Sequence, residues 1–134
     1  MTNLDLAKSY FKKIDARIKV LYIFFNEKDY SDVVRETQEL VELALKGMLR
    51  YIGIEPPKLH DVSSLLIEYK DLFKPEIQLH IDKLAMISKR LRKERELSFY
   101  GDIDFIPTEN YTEEDAKQCL EDAEFVHRIV QILK

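Results

Sequence analysis

Apolar residues recur along this chain at alternating steps of three and four. Leu4, Ala7, Phe11, Ile14, Ile18, Leu21 and Phe25 form one such series, which places them on a single helical stripe and predicts a first helix from about Asn3 to Glu27. Tyr30, Val33, Thr37, Val41, Ala44 and Met48 repeat the pattern directly after Asp29, a capping residue type that leaves almost no room for a loop. The second helix is therefore expected to fold back antiparallel to the first. Gly47 lies inside this second series near Ala44, where a small residue lets a neighbouring helix approach closely at a propensity cost of about 1 kcal/mol.

The remaining breakers fall between periodic segments. Pro57 removes a backbone donor and biases Pro56 toward extended geometry, so Gly53 to His60 reads as an ordered turn. Asp61 can cap a short third helix through about Phe73, and Pro75 suits the first turn of a fourth, where its missing N–H costs nothing. Ile77, Ile81, Leu84, Ile87 and Leu91 carry the fourth stripe. Ser98 to Asn110 has no period and reads as a long loop. Thr112 with Asp115 three residues on resembles a capping arrangement, and Ala116, Leu120, Ala123, Val126, Val130 and Leu133 give a fifth helix that runs to the last residue. These elements predict an all-α fold: an antiparallel up-and-down four-helix bundle with an additional short helix.

Length and charge narrow this picture. With 134 residues the chain suits one hydrophobic core, so residues 1–134 are read as a single domain. Twenty-one basic residues against 25 acidic ones give a net charge of -4, which provides no global pull toward nucleic acid, so any anion site must be a local patch. Cys119 is the only cysteine, which excludes an internal disulfide and a cysteine metal cage and suits a reducing cytoplasm. Apolar runs such as Val20 to Phe25 are too short for a bilayer span, and the amino terminus lacks a signal pattern, so neither export nor a membrane partner is expected.

Candidate chemistry is sparse. A phosphate-binding Gly loop, a Gly-x-Ser-x-Gly elbow and a His-Glu-x-x-His motif are all missing, and no cofactor or metal is implied. His80 and His127 stand singly on predicted helices, where packing or surface roles are the ordinary reading. His60 sits in the Pro-Pro-Lys-Leu-His-Asp turn, where it can either present its ring or stiffen the loop by bonding the backbone. Five of the eight residues from Lys89 to Glu96 are basic. The helix dipole accounts for part of that cluster, but Arg95, one turn beyond Leu91, continues the apolar stripe and must approach the bundle or a partner. Its guanidinium then needs an acceptor, either a protein carboxylate such as Asp102 or a bound phosphate.

Several segments together resemble the HEPN family. They are Asp29 to Asp32, Glu39 to Leu49, Gly53 to Pro57, His60 to Val62, Arg92 to Asp102 with its Tyr-Gly-Asp ending, and Tyr111 to Ala116. The resemblance implies a four-helix bundle with an added short helix, often a homodimer. Many such proteins are encoded with a minimal nucleotidyltransferase as toxin and antitoxin, and others are metal-independent ribonucleases. The nuclease members use an Arg followed four to six residues later by a His. Arg95 fits the Arg position, but Tyr100 stands where the His would be. A phenol with a reference pKa near 10 is a poor general base at neutral pH. The expected function is therefore nucleotide or RNA binding, with Arg92 and Arg95 clamping a phosphate, Tyr100 stacking on or bonding to a base, and Asp102 and His60 as further candidates. The alternatives are a ribonuclease built on Arg95, Tyr100 and His60, and a non-catalytic dimeric interaction module whose arginines pair with Asp102 or Asp104.

Overall fold

The structure, a computed structural model, describes residues 1–134, the side chain of Glu96 excepted. Four long helices make up the bundle: α1 (Asn3–Asn26), α2 (Tyr30–Tyr51), α5 (Ile81–Phe99) and α7 (Glu113–Leu133). The additional short helix is α3 (Ser63–Glu68), and α4 (Pro75–Gln78) and α6 (Pro107–Asn110) are single turns. Thr2 with Asp5 and Thr112 with Asp115 form reciprocal capping boxes at the starts of α1 and α7, each satisfying two otherwise orphaned amides. Asp29 caps α2 by accepting the Asp32 amide.

Helix α2 is the axis of the fold, packed against α1, α5 and α7. That position explains why it buries more than one stripe. Val34, Leu40, Leu45 and Leu49 are buried beside the expected Val33, Val41, Ala44 and Met48, because three neighbours cover it from different sides. Gly47 is indeed a close contact: a Cβ built there would lie 2.7 Å from Cε1 of Phe11 on α1.

Three segments differ from the sequence reading. The third helix, expected to be capped by Asp61 and to reach Phe73, has Val62 at its N-cap and ends at Glu68, and Lys70–Leu72 form a separate 3-10 turn. The helix expected to run unbroken from Pro75 is interrupted at Leu79 and His80, so that α4 packs on α7 while α5 lies along α2 and α3. Ile77 and Ile81 stay fully buried on either side of the break, and the His80 ring packs edge-on against Phe125 with centroids 5.5 Å apart. The expected loop from Ser98 is shorter, since α5 continues to Phe99. Beyond it the chain supplies its own order: Asp102 and Phe105 exchange both backbone hydrogen bonds, at 3.0 and 2.9 Å, and α6 follows. Gly101 enters this turn at φ 75°, where a Cβ would meet the Phe105 carbonyl oxygen at 2.5 Å.

Candidate functional site

Arg95 reaches the bundle from the last turns of α5, one turn past the buried Leu91. Its side chain is 18% exposed and points to α2. Nη1 donates to Oε1 of Gln38 at 2.5 Å and to Oε1 of Glu39 at 2.6 Å, and lies 3.9 Å from Oε1 of Glu42. Every side-chain bond that Arg95 makes among the described residues uses this one nitrogen. Arg35 closes the other side: its Nε donates to Oε1 of Glu39 at 3.2 Å, and its Nη1 donates to the Arg95 carbonyl at 3.3 Å. A cation at the carboxyl end of α5 also complements the helix dipole.

Glu42 is the hub of the network. Its Oε1 accepts from Nδ1 of His60 at 2.9 Å and from Nε2 of Gln38 at 3.3 Å, and its Oε2 accepts from Nζ of Lys46 at 3.1 Å. Partial burial alone would raise the pKa of this carboxyl, but the hydrogen bonds from His60, Lys46 and Gln38 outweigh burial and hold it below the ordinary glutamate value. His60 and Arg95, distant in sequence and carried by different elements, therefore meet on one carboxylate oxygen.

The other residues singled out in the sequence lie outside this cluster. Tyr100 is 76% exposed and sits edge-on to Phe99, with centroids 4.9 Å apart, and Phe99 in turn lies 5.1 Å below the Arg35 guanidinium. Arg92 is exposed. Asp102 is exposed as well, and its Oδ1 accepts the Ile103 amide at 2.7 Å. The acceptor of Arg95 is thus Glu39 on α2 and not Asp102. His127 donates to Asp15 at 2.8 Å, tying α7 to α1. Among the described residues no three His, Cys, Asp or Glu side chains are gathered so as to hold a metal ion. No helix is long and apolar enough to cross a membrane, again among the described residues.

Gln38, Glu39, Glu42 and Arg35 were not reached from sequence. A signal for them exists: Arg35, Gln38, Glu39, Glu42 and Lys46 form a polar stripe of helical period alongside the apolar stripes of the central helix. On a helix covered from three sides, such a stripe must either pair internally or face a partner.

A helical bundle with an arginine and a histidine gathered on one acidic helix face is the frame in which the comparisons fall. The HEPN domain family matches residues 7–133, and the chain belongs to that family. It is similar to a protein of Methanocaldococcus jannaschii named "Putative toxin MJ1304", with 28% identity over 136 residues that cover 96% of this chain and 88% of that protein. No solved structure matches.

Proposed function

We propose that this chain is a toxin-type HEPN protein that binds a nucleotide or an RNA segment, acts as a cytoplasmic homodimer, and works with a minimal nucleotidyltransferase partner. The observation that carries the reading is Arg95: its guanidinium is held at the α2–α5 seam with its bonds on Nη1, beside exposed Arg92 and Tyr100. A phosphate approaching the end of α5 meets Arg92 and the second edge of Arg95, while the Phe99 and Tyr100 rings offer a surface for a base. Asp102 borders this end of the helix and can accept from a base or ribose. The name of the Methanocaldococcus relative supports the toxin-type role. Phe99, Tyr100, Ile103 and Ile106, all at least half exposed, supply apolar surface for a second protomer or a partner.

The test is a titration with nucleotides and short single-stranded RNAs, followed by fluorescence anisotropy at fixed salt. Wild type is expected to bind, and Arg92→Ala, which touches no structural bond described above, to bind more weakly. Absence of binding by the wild type to every RNA and nucleotide removes the reading.

One observation favours a second reading, a metal-independent ribonuclease. His60 engages Glu42 through Nδ1, so Nε2 is the nitrogen positioned to take a proton, and Arg95 shares the same carboxylate. In that reaction His60 would accept the proton of a ribose 2′-hydroxyl while Arg95 steadies the phosphate, with Tyr100 as a donor. Cleavage of RNA in the presence of a chelator, abolished in His60→Ala, is the expected result; RNA that stays intact under these conditions excludes it.

A further inference from the structure

A groove outside the Arg95 network lies between α1 and the carboxyl ends of α2 and α7. Its floor is apolar, made by Leu4, Phe11 and Tyr51, with the Phe11 and Tyr51 rings tilted against each other at 6.5 Å. Its rim is basic, made by Lys8, Lys12 and Lys134. The volume of about 580 Å3 falls within the range typical of small-molecule sites.

The charge balance is what sets this groove apart from an ordinary surface crease. Lys8 and Lys12 stand one turn apart on α1, a like-charge spacing that costs helix stability unless an anion lies between them, and neither makes an ion pair among the described residues. The one carboxylate in the lining, Asp15, is already committed: its Oδ1 accepts from Nε2 of His127 at 2.8 Å and from Nε2 of Gln131 at 3.2 Å, and its Oδ2 lies 3.6 Å from Nζ of Lys134. The His127 bond holds Asp15 below the usual aspartate range, so it stays an occupied anion and leaves the two lysines uncompensated.

We infer that this groove is a binding site for a small amphipathic anion, whose apolar body lies on Leu4 and Tyr51 above the buried Phe11 ring and whose charged head is taken by Lys8 and Lys12. The apolar floor selects against inorganic phosphate, which has nothing to bury there, and the lysine pair selects against a neutral molecule of the same shape. Two sources share this chemistry, an acyl-chain carboxylate and an aromatic anion. The inference is independent of the role proposed for Arg95, since the two sites share no residue.

The test is an amide NMR titration of the full chain with decanoate, with anilinonaphthalene sulfonate, with decanol and with inorganic phosphate. Decanoate, the aromatic sulfonate or both are expected to shift resonances around Phe11 and Tyr51, and which of them binds identifies the source. Decanol and phosphate are expected to leave those resonances unmoved. Lys8→Glu combined with Lys12→Glu, on an exposed helix face, is expected to weaken the anion by about tenfold or more, with Lys8→Gln and Lys12→Gln intermediate. Binding of neither anion, shifts confined to other parts of the bundle, equal binding of decanol, or affinity unchanged by charge reversal would each overturn the inference.

Discussion

Nη1 of Arg95 lies 2.6 Å from Oε1 of Glu39, so the last turns of α5 are fastened to the middle of α2 by a charge-assisted hydrogen bond. The fastening is also a competition. An external phosphate that engages the whole guanidinium must share it with Glu39 or displace that carboxylate, and Glu39 repels it in the meantime.

Replacing Glu39 by Gln keeps the size of the side chain and removes the competing charge. RNA affinity of Glu39→Gln is accordingly expected to rise severalfold, by about 1 kcal/mol. Arg95→Ala is expected to lose binding and about 1 kcal/mol of stability, because it removes the bonds to Gln38 and Glu39 while Arg35 still pairs with Glu39. Anisotropy titrations and urea unfolding of the same samples separate the two effects. An unchanged or lower affinity in Glu39→Gln would show that Arg95 serves the bundle and not a ligand.

The bundle could be read from the sequence because burial of a helical stripe leaves a period, and Leu91 followed by Arg95 extends that period to a charged residue that turns toward α2. The partners of Arg95 were less accessible. Glu39 and Glu42 are 56 and 53 positions away, and only the docking of α5 on α2 brings them near. Asp102 was the natural guess by proximity along the chain, yet Gly101 turns the backbone at positive φ and Asp102 ends in a local turn of its own. The break between α4 and α5 left no trace in the pattern either, since Ile77 and Ile81 keep helical spacing across it.

Glu42 gives the network a pH signature. Its folded pKa lies below the ordinary value of 4.5, so the folded state favours the carboxylate. Its contribution to stability is fully present above about pH 4.5 and is lost as pH falls through the lower folded value. Thermal unfolding followed from pH 7 down to pH 3 is expected to show this loss in wild type and a shallower one in Glu42→Gln. Parallel acid limbs for the two proteins would mean that His60 and Lys46 do not stabilise the ionised group.

Asp32 has the opposite sign. Burial first, and then the bond to and charge of Asp29, raise its pKa from 3.8 to about 6, against the smaller pull of Arg35. The folded state therefore holds this proton more tightly than the unfolded one, and the contribution is fully present below pH 3.8 and lost as pH rises through about 6. Carboxyl carbon NMR is expected to show Asp32 titrating near 6 in wild type and lower in Asp29→Asn, which removes the neighbouring charge. A midpoint unmoved by that substitution would mean that burial and the Glu36 charge, and not Asp29, raise it.

The approach of α1 to α2 at Gly47 sets two local effects against each other. Alanine there improves helix propensity by about 1 kcal/mol. Its Cβ, however, would lie 2.7 Å from Cε1 and 3.2 Å from Cδ1 of Phe11, and 3.3 Å from Cβ of Tyr10. Phe11 is 1% exposed, so its ring cannot swing into solvent and the helices must part instead. Overpacking of this kind costs about 1–3 kcal/mol, which exceeds the propensity gain over most of that range. Gly47→Ala is expected to lower the urea midpoint with the slope unchanged, and Gly47→Leu to do so more strongly. A stabilised Gly47→Ala protein would mean that the two helices are free to separate, and that close contact at Phe11 does not fix their spacing.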